Sequence, residues 1–114
     1  MDPLRVSTEE RDGRIVLTLD GELDIASAPS IEEALRDAEE QSPPVLLIDL
    51  RALQFMDSTG LRTILSADAR ARDAGRRLVV VQGDKNIQRV FQVTRLYERV
   101  EIVSDPADVE PSTG

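Results

Sequence analysis

"LLIDLRALQFMDSTGLRTIL", residues 46–65, joins an apolar run to a segment of helical spacing, with Asp57, Ser58, Thr59 and Gly60 at the join. "VLLIDL" has no polar face, as expected of a strand buried on both sides. In "GLRTILSADARARDAG", Ile64, Ala67, Ala71 and Ala74 fall on one side of a helix, with Leu61 and Leu65 beside them and Gly75 placed to end it. An inner face made largely of alanine implies that this helix packs closely on a sheet.

The same periodicities extend in both directions. "LRVSTEE" and "GRIVLTLDGEL" alternate, and Asp12-Gly13 between them is a hairpin signal. "SAPSIEEALRDAEEQ" places Ile31, Ala34, Leu35 and Ala38 on one helical face, with Ser27 or Ser30 as cap, Pro29 in the first turn and Pro43-Pro44 as the stop. Downstream, "RLVVVQG" repeats the buried-strand pattern, and "NIQRVFQVTRL" sets Ile87, Val90, Phe91 and Thr94 at helical spacing before a short strand "RVEIV". The order is β-β-α-β-α-β-α-β, without repeat or linker. It predicts one α/β domain over residues 4–103: a mixed, mostly parallel sheet with an antiparallel edge hairpin and packed helices. Residues 104–114, "SDPADVEPSTG", read as a flexible C-terminal tail.

Composition narrows the chemistry. The chain of 114 residues has 40% apolar content, no Cys and no His. Disulfides, thiolate metal sites, a Ser-His-Asp triad and the usual neutral-pH proton shuttle are therefore excluded. An ordinary hydrolytic enzyme is a poor reading, and no metal site is expected. The net charge of −8 repels nucleic-acid phosphates and anionic membrane surfaces. With Phe55, Phe91 and Tyr97 the only aromatics, there is no stacking platform for bases. No apolar run is long enough to span a membrane, and the N-terminus lacks the pattern of a secretory signal, so a cytoplasmic location is expected. A protein with a basic face is the better partner.

The turn at Asp57–Gly60 supports two readings. Asp, Ser and Thr at a helix start cap orphan N–H groups, worth about 0.5–2 kcal/mol. Alternatively, Ser58 sits at an exposed strand-to-helix lip and is phosphorylated. A phosphate adds roughly −1.5 to −2 charges, and beside a helix N-terminus it is tolerated by the fold. Desolvated at a docking surface beside Asp57, the same charge would repel a partner.

"GELDIASAPSIEEAL" followed by "VLLIDLRALQFMDSTGL" resembles the STAS domain, specifically the bacterial anti-sigma factor antagonists, and the resemblance runs from about Leu4 to Val103. It implies that one turn serves both capping and phosphorylation. The unphosphorylated protein would bind an anti-sigma factor that is also a serine kinase and so free the sigma factor. Phosphorylation of Ser58 would weaken the complex, and a serine phosphatase would restore it. The resemblance implies a switch surface of Asp24, Asp57, Ser58, Thr59, Gly60 and Leu61, with Asp24 near the serine, supporting phosphorylation or contacting nucleotide. Asp24 also reads simply as a strand-end turn residue. No cofactor is expected; weak nucleotide binding and a weak dimer stay open.

Two positions depart from the family. Thr59 stands where a second serine is usual and is an alternate acceptor, and Arg95 stands where Gly commonly follows the third helix. Between Arg62 and Arg77, five arginines face Asp68 and Asp73, which reads as a solvated face or an acidic-partner or self-association surface. Phe55 and Met56 are read as core in preference to partner anchor. A receiver domain with Asp49 as acceptor lacks the acidic pair such domains need. A nucleotide-binding or hydrolytic enzyme built on Asp24, Asp57 and Ser58 lacks a base and a phosphate cradle. A STAS scaffold of another signalling or transporter complex, without a Ser58 switch, is the remaining alternative.

Overall fold

The computed structural model describes residues 4–109. Its elements are β1 (Leu4–Arg11), β2 (Arg14–Leu23), α1 (Ala28–Glu40), β3 (Val45–Met56), α2 (Ser58–Asp73), β4 (Arg77–Val81), α3 (Lys85–Thr94) and β5 (Glu101–Val103). Asp12 and Gly13 both adopt positive φ (54° and 76°), the mirror-image turn whose twist matches two antiparallel strands. β1 thus pairs antiparallel with β2, while β2, β3, β4 and β5 run parallel to one another in the order β1-β2-β3-β4-β5. Crossovers of one hand that always step in the same direction place every helix on the same face. The main core accordingly joins Ile31 and Leu35 of α1, Ile64 and Ala67 of α2, and Ile87 and Phe91 of α3 to Leu17, Leu46, Ile48, Leu50 and Val80 of the sheet. α1 and α2 run side by side there, tied by Arg70 Nε donating to the Glu39 carboxylate at 3.0 and 3.1 Å.

"VLLIDL" is buried on both faces as expected, but among the described residues no α-helix covers the second one. There Val45, Leu47, Val79 and Val81 pack against Val109, which is 2% exposed. Residues 104–109, expected to be loose, instead lie across this face: Pro106–Asp108 form a 3-10 turn and Arg14 donates to the Val109 carbonyl at 3.0 Å. A single apolar residue at the end of a polar stretch leaves no periodic signal. Residues 110–114 lie outside the described residues.

β3 is longer than its neighbours because it carries an extra residue in two places against β2. Thr18 pairs with Asp49 but Asp20 with Ala52, and Gly21 pairs with Leu53 but Glu22 with Phe55. Such bulges break the period-2 alternation. Leu53 and Met56 are buried while Gln54 and Phe55 between them are exposed. The expectation that Phe55 and Met56 both belong to the core therefore holds for Met56 and fails for Phe55.

Arg95 ends α3 in the left-handed region at φ 60°, its N–H returning to Gln92 and Phe91 carbonyls and its guanidinium bound to Glu98 at 2.6 Å. The cap is made without glycine, at a conformational cost. Arg95→Gly should raise stability by about 0.5–1 kcal/mol, read as a higher urea midpoint at unchanged slope. A lower midpoint would mean that the exposed Arg95–Glu98 pair outweighs the strain.

Candidate functional site

Two turns meet at the carboxyl ends of β2 and β3. Leu23 and Met56 pair at the last step of the ladder, and the Asp57 N–H donates to the Leu23 carbonyl at 3.2 Å, so the chain after β2 and the chain after β3 start side by side. In the first turn, Asp24 Oδ1 accepts from the N–H groups of Ala26 and Ser27, both at 3.0 Å. Asp24 acts here as a strand-end turn residue. Ser27 occupies the N-cap position of α1, but its hydroxyl donates to the Glu22 carbonyl at 2.8 Å and accepts from the Asp24 N–H at 3.0 Å. Neither Ser27 nor Ser30 caps α1 with its side chain, because the Asp24 turn already claims the Ser27 hydroxyl.

In the second turn, Asp57 adopts an extended conformation and its Oδ1 accepts from the N–H groups of Thr59 at 2.9 Å and Gly60 at 3.2 Å. Asp57 alone is the cap. The Ser58 hydroxyl, exposed on the first residue of α2, makes no hydrogen bond among the described residues, and neither does that of half-buried Thr59. Capping and presentation are thus divided between neighbouring residues: one carboxylate satisfies the helix start and leaves a hydroxyl free beside it. Aligned N–H groups in this first turn favour an anion by about 0.3–1 kcal/mol.

Gly60 is buried, not part of the surface. A Cβ there would lie 2.7 Å from Met56 Cγ and 2.8 Å from Leu23 Cγ. The absent side chain lets α2 rest directly on the strand ends, which fixes where Ser58 emerges. Leu61 is half-buried and packs against the main core, so of the expected switch surface Asp24, Asp57, Ser58 and Thr59 are accessible and Gly60 acts through the backbone.

Sequence reading missed the apolar part of this surface. Ile25, directly after Asp24, is 76% exposed, and Phe55, two residues before Asp57, is 46% exposed. Both belong to the carboxyl ends of β2 and β3, the junction from which the Asp57–Gly60 turn starts. An isoleucine in a short connection between strand and helix signals exposure, and nothing in the sequence marks the bulge that turns Phe55 outward. Asp49, the candidate acceptor of the receiver reading, is buried mid-strand on the opposite face. Arg51 grips it at 2.8–3.2 Å, and this hydrogen bonding raises the Arg51 pKa above its ordinary value. Both carboxylate oxygens of Asp49 are thus engaged by Arg51.

Gly60→Ala should cost stability although alanine is the better helix former. Overpacking of about 1–3 kcal/mol exceeds the roughly 1 kcal/mol gained in helix propensity. Urea unfolding should show a reduced midpoint; an increased one would mean that α2 does not rest on Leu23 and Met56 as closely as the geometry indicates.

A family model, the STAS domain, matches residues 5–109. An anti-sigma-B factor antagonist of Listeria monocytogenes is 33% identical over 100 residues, covering 87% of this chain and 88% of the relative. The anti-sigma-F factor antagonist RsfB of Mycobacterium tuberculosis is 30% identical over 82 residues, 72% of this chain and 67% of the relative. Among solved structures, an anti-sigma factor antagonist from Mycobacterium paratuberculosis superposes with a TM-score of 0.81 at 28% identity, covering 94% of this chain and 91% of that one. The hairpin-led parallel sheet, the helices on one face and the Asp57–Gly60 turn thus agree with the sequence match, and the chain belongs to the STAS domain family.

Proposed function

We infer that this chain is an anti-sigma factor antagonist, a regulatory binding module that acts by holding an anti-sigma factor away from its sigma factor. The names of its relatives support this reading. Within it, we propose that the partner is a serine kinase and that Ser58 is the acceptor. The observation that carries the proposal is the free, exposed Ser58 hydroxyl beside a cap made entirely by Asp57. In the transfer, the γ-phosphoryl group of ATP moves to Ser58 Oγ, the hydroxyl proton passes to a base and ADP leaves. This chain has no histidine, and the Asp57 carboxylate is committed to the cap, so the base comes from the kinase.

Exposed Ile25 and Phe55 suit the apolar centre of a docking surface, with Asp24, Asp57 and Ser58 around it. A phosphate at Ser58 is compatible with the fold, since the first turn of α2 favours an anion. On docking it must be desolvated next to Asp57, and each 1.4 kcal/mol or so of that penalty weakens the complex tenfold. The switch therefore acts on binding and not on folding, and a serine phosphatase resets it.

Affinity capture from the source cell's lysate tests this reading, with wild-type, Ser58→Ala and Ser58→Glu baits and mass spectrometry of the retained proteins. Wild type and Ser58→Ala should hold a small ATPase-fold serine kinase that Ser58→Glu releases. Equal retention by all three baits would leave Ser58 without a switching role and make the domain a scaffold of another signalling complex. Loss of the partner by a folded Ser58→Ala would assign Ser58 to docking itself.

A further inference from the structure

The arginine-rich stretch from Arg62 to Arg77 is almost wholly consumed by the fold. Arg70 binds Glu39, and Arg72 binds Asp68 at 2.9 Å and the Arg99 carbonyl. Arg76 donates to the Pro43 carbonyl at 3.1 Å, and Arg77 grips Glu101 at 2.5 and 2.9 Å. Arg62 is different: among the described residues its guanidinium has no partner. The same holds for Arg36, which faces it from α1 across a groove of about 290 Å³. Thr59, Thr63 and Ser66 line that groove between them, and Glu32 is the one unpaired carboxylate on it. Two guanidiniums facing one carboxylate give a local positive excess on a chain of net charge −8, directly alongside the switch turn.

We propose that the groove between α1 and α2 is the seat of the phosphoryl group on Ser58, with Arg62 as its main partner and Arg36 across from it. The proposal rests on the reading of Ser58 as phosphoacceptor. Ser58 and Arg62 stand one turn apart on α2, with the anion on the N-terminal side, the favourable order for an i, i+4 pair. A guanidinium presents a planar fork of donors that matches phosphate oxygens, and the unpaired hydroxyl of Thr59 supplies a further donor on the groove wall. Of the other charges near the seat, Glu32 on α1 is the one left unpaired among the described residues, and it opposes the anion there. Asp57 Oδ1 is held by the cap, Asp24 Oδ1 by its own turn, and Arg70 by Glu39. Phosphorylation then alters the docking surface twice: it places charge at Ser58 and takes Arg62 out of solvent.

The test uses the full chain carrying phosphoserine installed at position 58 during translation, so that no kinase or partner is needed. A 31P NMR titration reads the second pKa of the phosphate, about 6 when unperturbed. Arg62→Gln should raise it by roughly 0.15–0.4 unit relative to the phosphorylated wild type, the shift expected of an exposed i, i+4 ion pair. Arg36→Gln should raise it less, and Arg89→Gln on α3, which removes the same charge elsewhere, should leave it in place. These positions are exposed, so the variants retain the fold. An Arg62→Gln shift no larger than that of Arg89→Gln overturns the seat. If in addition Arg62→Gln weakens the unphosphorylated chain's hold on the anti-sigma factor, the groove belongs to the partner's carboxylates instead. A failed capture experiment leaves this titration readable, because the phosphate is installed independently of any kinase.

Discussion

The molecule depends on how closely the first turn of α2 approaches the ends of β2 and β3. Gly60 backbone lies against Leu23 and Met56 with no room for a methyl group, and the Asp57 N–H reaches back to the Leu23 carbonyl. Ser58 therefore emerges from a rigid junction of two parallel strands and a helix. The turn after β2, which carries Asp24 and Ile25, emerges from the same junction. A surface assembled this way is rigid before a partner arrives, which lowers the ordering cost of association.

Electrostatics give that surface its character. Asp57 alone caps the helix start, so the neighbouring hydroxyl is spared from structural duty. The same strand ends carry exposed Ile25 and Phe55, and the groove that Thr59 lines holds two arginines unpaired among the described residues. The acidic chain as a whole disfavours nucleic acid and favours a basic partner, while the groove supplies a local exception. On the proposed reading, a phosphate of roughly −1.5 to −2 charges at Ser58 would act on binding and not on folding.

The element order was legible because buried parallel strands and amphipathic helices differ in period, and the Asp12-Gly13 turn announced the hairpin. That all helices share one face followed only from the sheet order, which periodicity does not encode. Val109 covering the open face was invisible, since one apolar residue in a polar segment resembles any tail. Asp57, Ser58 and Thr59 were legible as a helix start, but which of them caps depends on backbone geometry that the letters do not carry. Phe55 was misplaced because two extra residues in β3 shift its side chain from core to surface. Arg95 is an unusual residue for a helix end, and the helix ends there in the left-handed conformation nonetheless.

The central claim is that the partner docks on the carboxyl edge of β2 and β3, around Ser58. The most direct measurement is the affinity of the anti-sigma factor for the Ile25→Ala, Phe55→Ala and Val93→Ala chains by titration calorimetry. Val93 on α3 is as exposed as Ile25, at 76%, and lies outside the surface assigned to docking. Phe55→Ala should weaken binding at least about tenfold and Ile25→Ala several-fold, as buried apolar anchors do, with Val93→Ala unchanged. Unchanged affinity for the first two chains with a loss for Val93→Ala would place the interface on α3 and contradict the account.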